Sequence, residues 1–142
     1  MTAVCDVNTL LALCYQGHIH HPQSVAWFDQ QADLSVILCR MTQLGLLRLL
    51  SNPAVMRADV CTLEQAWGVY DLLISDGRIE FENEPADVDS HLRRMSNFEQ
   101  VSPKLWQDAY LAAFACAGNH SLVTFDQGFK KFNGLRLFLL GN

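Results

Sequence analysis

The sequence predicts an α/β fold in which helices pack around a mostly parallel sheet. Short apolar segments typical of strands alternate along the chain with longer segments of helical periodicity, and this alternation is typical of parallel sheets covered by helices. The chain has 142 residues, of which 50% are hydrophobic and 18% charged. These values are typical of a globular protein with one core, so we predict a single domain over residues 1–142.

The first half of the chain begins with a strand and ends with a long apolar helix. Residues 3–6 are predicted to form a strand, and residues 8–16 a helix that ends near Gly17. The next predicted elements are, in order, a helix from Pro22 to Gln31, a strand at 35–39, and a helix that begins at Thr42 and is broken at Asn52-Pro53.

Capping signals define the helices of the second half. Thr62 and Gln65 form a capping-box pattern, and Ser102 followed by Pro103 is a favourable N-cap and first helical residue. The predicted elements are, in order, a helix from Thr62 to Ser75, a strand at 78–82, a helix at 87–97, a helix from Pro103 to Gly118, a strand at 122–125 and a strand at 135–139.

Charge and cysteine content narrow the class of protein. The net charge of −5 argues against a general nucleic-acid coat protein, but it does not exclude an enzyme that meets RNA only at its active site. The five cysteines are widely spaced without a CxxC pair, which favours reduced thiols in a cytoplasmic protein over disulfides or a zinc site. We expect no signal peptide and no membrane-spanning segment, because the apolar runs are short or interrupted.

Four polar side chains are predicted to meet at one edge of the sheet. Asp6 ends the first strand, Asp126 ends a later one, and Gln43 closely follows the strand at 35–39. If these strands are parallel, all three positions lie at the carboxyl edge, where open α/β sheets bind their ligands. Asp108 lies near the start of a helix that begins at the same edge. We therefore expect these four residues to form a catalytic site.

Asp108 occupies an unusual position on its helix. Leu111, Ala112 and Ala115 follow it at helical spacing, so its carboxylate shares a face with the apolar stripe. A carboxylate in that position is partly desolvated, and a metal ion or hydrogen-bond donors must compensate it.

Three converging carboxylates would repel one another without a cation. Hard oxygen ligands select Mg²⁺ or Mn²⁺, so we expect Asp6, Asp108 and Asp126 to bind such an ion and to activate water for attack on a phosphodiester. Each residue alone has a structural alternative, since Asp6 can cap a helix, Asp126 can stabilise a turn, and Asp108 can be a satisfied structural carboxylate. Short polar side chains are expected to support the carboxylates, namely Asn8, Thr42 and Thr124.

Other side chains have weaker functional interpretations. Three histidines are interpreted as a polar loop, with transition-metal binding as the alternative: His18, His20 and His21. Five basic residues near the acidic ones are candidates either to bind nucleic-acid phosphates or to be exposed charges: Arg40, Arg48, Lys104, Lys130 and Lys131. Among them, Arg48 is expected to need an anionic partner. Four aromatic residues are expected in the core or an interface: Trp27, Phe28, Trp67 and Trp106.

Four segments carry a family resemblance. They are CDVNTLLAL (5–13), MTQLGLLRLL (41–50), QDAYLAAFA (107–115) and LVTFDQGF (122–129). In this order and spacing they resemble the PIN-domain family, and more closely the VapC-type toxin ribonucleases of prokaryotic toxin–antitoxin pairs. The four segments extend over most of the chain, which makes the resemblance more specific than any one segment would.

This resemblance implies a three-layer α/β/α fold and a Mg²⁺- or Mn²⁺-dependent endoribonuclease. It also implies an RNA substrate, a cognate antitoxin protein and a homodimer. By position, Asp6, Asp108 and Asp126 match the family's metal-binding aspartates, whereas Gln43 stands where many relatives have glutamate. Because an amide carries no charge and cannot act as a base, the alternative is a weakened or inactive PIN-like module that binds RNA or protein.

Overall fold

The computed structural model describes residues 1–141 and contains a sheet in which every strand pairing is parallel. The strands are β1 (Ala3–Cys5), β2 (Val36–Leu38), β3 (Ile79–Phe81), β4 (Ser121–Thr124) and β5 (Leu137–Leu139). Their order across the sheet is β3-β2-β1-β4-β5, which places β1 at the centre. The predicted parallel sheet is confirmed, and each predicted strand is present.

Helices connect the strands and cover the sheet. They are α1 (Val7–Cys14), α2 (His21–Phe28), α3 (Arg40–Leu50), α4 (Pro53–Met56), α5 (Leu63–Ile74), α6 (Val88–Met95) and α7 (Leu105–Ala117). Two short 3₁₀ helices span Arg57–Asp59 and Gln127–Lys131. The predicted capping box is present at the start of α5, where Thr62 Oγ1 accepts the Gln65 backbone N–H and Gln65 Oε1 accepts the Thr62 backbone N–H.

Helices on both faces of the sheet create two hydrophobic cores. Side chains alternate along β1, so Ala3 and Cys5 face one core while Val4 faces the other. Helices α1, α2, α3 and α5 contribute to the first core, and α6 and α7 to the second. The central strands β1 and β2 are buried throughout because both faces are covered, whereas the edge strands are partly exposed. This arrangement confirms the predicted three-layer α/β/α sandwich.

The strand order reverses between β1 and β4. The chain moves outward from β1 to β2 and β3, and then returns to place β4 on the other side of β1. In open parallel sheets, this reversal produces a crevice beyond the carboxyl ends of the two strands. Asp6 and Asp126 follow β1 and β4, so the topology places both aspartates at this crevice.

Two predicted helix starts are wrong. The helix expected from Thr42 begins at Arg40, because the Thr42 hydroxyl accepts the Cys39 backbone N–H at 3.0 Å and so occupies the third position of the first turn. The helix expected from Pro103 begins at Leu105. Its N–H bonds the backbone carbonyl of Ser102, which therefore forms a turn before the helix and does not cap it.

The cysteines of the described chain are free thiols. Burial raises the pKa of the Cys5 thiol strongly and that of Cys14 to about 12, so both are protonated packing groups at neutral pH. Among residues 1–141, no helix combines the length and the apolar character that crossing a membrane requires.

Candidate active site

A cleft of about 1000 Å³ opens at the carboxyl edge of the sheet. Its walls come from α1, α3, α5 and α7 and from the segment that follows β4. Asp6, Asp108 and Asp126 all line this cleft. The fold therefore brings together three of the four residues that the sequence grouped.

Asp6 both caps α1 and lines the cleft. Its Oδ1 accepts hydrogen bonds from the Thr9 backbone N–H at 2.9 Å and from the Thr9 hydroxyl at 2.5 Å. Its Oδ2 accepts a hydrogen bond from the Thr124 hydroxyl at 2.6 Å. Burial raises the pKa of this carboxyl, hydrogen bonds from Thr124 and Thr9 oppose that effect, and the charge of Asp126 adds to it. The cap and the site are thus compatible interpretations of Asp6.

Asp108 and Asp126 complete the acidic part of the cleft. Asp108 lies half-buried in the first turn of α7, where the helix dipole favours a carboxylate. Burial raises the pKa of Asp108, the charges of Asp126 and Asp6 raise it further, and Lys131 opposes them. Asp126 is exposed, and its Oδ1 accepts the Gly128 backbone N–H at 2.7 Å. It therefore stabilises a turn while it lines the cleft.

The donor chemistry of this cleft suits a hard divalent cation. The aspartates are close enough for their charges to raise the pKa of Asp6 and of Asp108, and a cation would relieve this repulsion. Within residues 1–141, however, no three His, Cys, Asp or Glu side chains are already placed to hold a metal ion. Mg²⁺ is commonly held by one or two carboxylates and several waters, so a water-mediated site fits these residues better than a closed protein cage.

Gln43 does not line the cleft. Its side chain is 6% exposed, and its Oε1 accepts a hydrogen bond from Arg40 Nη1 at 2.5 Å. The next residue, Leu44, is 59% exposed and lines the cleft. Among the four residues that the sequence grouped, Gln43 is therefore the one that is buried and does not contribute to the wall of the cleft.

Two of the five candidate cations line the cleft. Arg40 and Arg48 are exposed on α3, and neither forms an ion pair with another residue of the described chain. Arg48 therefore has no anionic partner within residues 1–141, and the prediction that a phosphate or a protein partner supplies one stays a prediction. Lys131 does not line the cleft but lowers the pKa of Asp108. Lys104 and Lys130 are exposed elsewhere.

The histidine cluster has structural partners. The His20 backbone N–H donates to His18 Nδ1 at 3.0 Å, and the His20 ring stacks on Phe125 with 4.2 Å between ring centroids. His21 Nδ1 bonds the Ala12 carbonyl oxygen at 2.7 Å. These contacts anchor the loop before α2 to α1 and to the end of β4, which favours the interpretation as a structured loop.

Part of the cleft is lined by exposed apolar side chains. Leu44, Leu63 and Trp67 are 59%, 75% and 47% exposed, and all three line the cleft. The sequence predicted Trp67 in the core or an interface, and the structure places it on an accessible wall. Such a wall is available to a partner that covers the cleft.

Sequence reasoning missed two residues of the site. Thr9 supplies two of the hydrogen bonds that orient Asp6, and a threonine three residues after a capping aspartate is the signal that could have identified it. Tyr110 lines the cleft and donates its hydroxyl to Glu84 at 2.5 Å. No sequence pattern indicated the Tyr110–Glu84 contact, because it joins α7 to a loop far away in the chain.

Comparison with known proteins gives a consistent result. The family model of the PIN domain matches residues 3–135. The chain is 42% identical over 142 residues to Ribonuclease VapC41 of Mycobacterium tuberculosis, in an alignment that covers 96% of this chain and 97% of that protein. It is 30% identical over 126 residues to Ribonuclease VapC38 of the same species, which covers 89% of this chain and 86% of that protein.

Solved structures share the fold at lower sequence identity. The structure of VapBC2 from Rickettsia felis bound to a DNA fragment from its promoter aligns with a TM-score of 0.69 and 15% identity, over 99% of this chain and 100% of that chain. The structure of Mycobacterium tuberculosis VapC20, a toxin that cleaves the sarcin–ricin loop, aligns with a TM-score of 0.65 and 16% identity, over 95% and 99% of the two chains. Both alignments agree with the α/β/α architecture.

Proposed function

The chain belongs to the PIN domain family, among the VapC-type ribonucleases, and from this premise we propose that it is a divalent-metal-dependent endoribonuclease. We propose that it hydrolyses RNA phosphodiester bonds with Mg²⁺ or Mn²⁺ and that it is the toxin of a toxin–antitoxin pair. The observation that carries this proposal is the convergence of Asp6, Asp108 and Asp126 on one cleft at the topological switch of the sheet.

The aspartates would hold the metal ion, and their neighbours would orient them. Thr9 and Thr124 fix both oxygens of the Asp6 carboxylate, so its free lone pairs point in a defined direction. Asp108 and Asp126 supply the remaining negative charge. When bound, the cation would supply a more acidic water and stabilise the charge that develops on the phosphate. No covalent enzyme intermediate is needed for this hydrolysis.

A cognate antitoxin and a second copy of the chain are further proposals. The exposed apolar side chains of Leu44, Leu63 and Trp67 support a protein partner that covers the cleft. The free cysteines support a reducing cytoplasm as the place of action. Sedimentation equilibrium of the isolated chain tests the homodimer. If Leu63→Ser weakens the binding of the antitoxin, the apolar wall is the antitoxin site.

A cleavage assay tests the proposed function directly. We expect the purified chain to cleave RNA in Mn²⁺, to lose the activity in EDTA, and to regain it when Mn²⁺ is restored. We also expect Mn²⁺ to raise the melting temperature, because a ligand at 100 times its Kd stabilises the native state by about 2.7 kcal/mol. Activity that persists in EDTA would contradict metal dependence.

One alternative function has its own support. A PIN-like module that binds RNA or protein without cleaving it is favoured by the neutral Gln43 and by the lack of a preassembled three-residue metal group within residues 1–141. This alternative predicts RNA binding without cleavage at any Mn²⁺ concentration.

A further inference from the structure

We propose that Gln43 acts as a positioning residue, which holds the guanidinium of Arg40 as a phosphate-binding group of the cleft. This inference rests on the proposed function, because it assigns how the RNA backbone is bound near the three aspartates. It differs from the interpretation of Gln43 as a weakened metal ligand, and the two make opposite predictions for the same substitution.

Arg40 is placed where an RNA strand would pass. It is the first residue of α3, immediately beyond the carboxyl edge of β2, and it lines the same cleft as Asp6 and Asp108. It is exposed and forms no ion pair within residues 1–141. Its positive charge is therefore not neutralised by the described part of the chain.

Two contacts hold the guanidinium in place. Its carbon lies 5.2 Å from the centroid of the Phe81 ring, and Nη1 donates to Gln43 Oε1 at 2.5 Å. A guanidinium has five N–H donors in a planar fork, so one bond to Gln43 leaves the others available. An arginine that is oriented in this way can bind a phosphate through two parallel hydrogen bonds at a lower entropic cost than a free side chain.

Gln43 is buried beneath the wall of the cleft that α3 forms. It lies three residues after Arg40 on α3, is 6% exposed, and does not line the cleft. Its other neighbour is Tyr70, a buried residue of α5 whose pKa burial raises and the hydrogen bond with Gln43 lowers. Gln43 is thus fixed by the first core and presents its carbonyl oxygen to Arg40.

Because Gln43 is uncharged, the positive charge of Arg40 remains available to bind a phosphate. An amide oxygen fixes the guanidinium without cancelling its charge, whereas a carboxylate at the same position would form an ion pair with it. The cleft contains three aspartates and the chain carries a net charge of −5, so RNA phosphates are repelled unless a local cation offsets the field. Arg40 supplies such a cation beside the acidic residues.

The test compares Gln43→Glu and Arg40→Gln with wild type, using a short fluorescent single-stranded RNA. Arg93→Gln is the matched control, since it removes the same charge from an exposed side chain of α6 outside the cleft. Cleavage in Mn²⁺ gives kcat and KM, and fluorescence anisotropy in EDTA gives the Kd at several salt concentrations. Melting temperatures report whether each variant is folded.

We expect both cleft variants to raise KM by roughly five- to tenfold, the loss of one charge-assisted contact, with little change in kcat. The slope of log K against log salt should fall in magnitude by about 0.7 in each, because one phosphate contact is lost, and should not change in Arg93→Gln. A merely structural role for Gln43 would lower the melting temperature without changing this slope.

Several results would overturn the inference. If Gln43→Glu raises kcat or lowers the Mn²⁺ concentration needed for half-maximal activity, residue 43 is a metal ligand. If Arg40→Gln binds RNA as wild type does, or weakens only the binding of a protein partner, Arg40 is not a phosphate contact. If wild type neither binds nor cleaves RNA, the proposed function fails together with this inference, and this outcome is distinct from the other two.

Discussion

Asp6 and Asp76 lie at opposite edges of the same sheet and are stabilised in opposite ways. Asp76 precedes β3 at the amino edge, where Arg78 Nη2 and Nε donate to its two carboxylate oxygens at 2.9 and 3.0 Å. The same guanidinium packs over the Phe28 ring, 3.9 Å from its centroid. At the carboxyl edge, Asp6 receives hydrogen bonds only from the Thr9 backbone and from threonine hydroxyls, and no cation pairs with it within residues 1–141.

The two environments move the pKa in opposite directions. Hydrogen bonding to Arg78 lowers the pKa of Asp76 from 3.8 to about 2, whereas burial raises the pKa of Asp6. The chain thus supplies an arginine to Asp76, whereas Asp6, Asp108 and Asp126 form no ion pair within residues 1–141. Structural ion pairs carry their own cation, and a carboxylate cluster without one is a candidate to receive a cation from solution.

The largest expected effect is on RNA cleavage, which should depend on the aspartates at the carboxyl edge and not on Asp76 at the amino edge. Asp6→Asn and Asp126→Asn should each reduce RNA cleavage in Mn²⁺ by at least about 100-fold, because each removes a charged ligand that asparagine cannot replace. Asp76→Asn should cleave RNA at the wild-type rate, since Asp76 lies at the other edge of the sheet. Initial rates on one RNA substrate measure this. Equal rates for Asp6→Asn and wild type would contradict the assignment of the cleft as the active site.

A smaller effect is expected on stability, to which the ion pair of Asp76 at the amino edge contributes. Asp76→Asn should lower the free energy of unfolding by about 1 kcal/mol at pH 7, a value discounted for solvent screening of the partly exposed pair. Because the folded pKa is depressed, the Asp76 contribution is fully present above the unfolded pKa of 3.8 and is lost as the pH falls to about 2.

Urea denaturation at several pH values measures this contribution. The wild-type and Asp76→Asn curves should differ at pH 7 and converge toward pH 2. A difference that is constant over this range would indicate lost packing and not a lost ion pair.

The smallest expected effect is the change in the free energy of unfolding caused by Asp6→Asn, and its sign is opposite to that of Asp76→Asn. The folded pKa of Asp6 is raised, so its ionised form is disfavoured in the folded state at neutral pH. This penalty shrinks as the pH falls below the folded pKa and is gone below the unfolded value of 3.8. Asp6→Asn keeps an acceptor for the Thr9 backbone N–H and removes the charge. Its free energy of unfolding at pH 7 should therefore equal or exceed that of wild type by up to about 1 kcal/mol. A larger loss than in Asp76→Asn would show that the charge of Asp6 is structurally compensated.

The sequence was sufficient to predict the positions of the aspartates. Asp6 and Asp126 follow apolar strands, and parallel strands place their carboxyl ends at one edge whatever the loops between them do. Asp108 was predicted from its place on the apolar face of a helix, and the structure confirms that it is half-buried. These positions follow from periodicity and topology, which a single sequence contains.

The environment of Gln43 could not be predicted in the same way. Hydrophobic patterning places a glutamine outward and the neighbouring leucine inward, whereas α3 buries Gln43 and exposes Leu44 to the cleft. Arg40 contacts Gln43 from three residues earlier on the same helix, but Tyr70 contacts it only once α3 and α5 have packed together, and this long-range contact is not visible in the sequence. The predicted start of α7 at Pro103 also differs from the observed start at Leu105, because a Ser-Pro turn and a Ser-Pro helix cap have the same local sequence.

Calorimetric titration with Mn²⁺ tests the central claim that the cleft is a metal site. Asp126→Asn is the most informative variant, because Asp126 is exposed and the amide oxygen of the asparagine can still accept the Gly128 N–H. The fold should therefore be preserved. We predict saturable Mn²⁺ binding to wild type and to Asp76→Asn, and its loss in Asp126→Asn. Equal binding to all three proteins, or no binding to wild type, would contradict the claim.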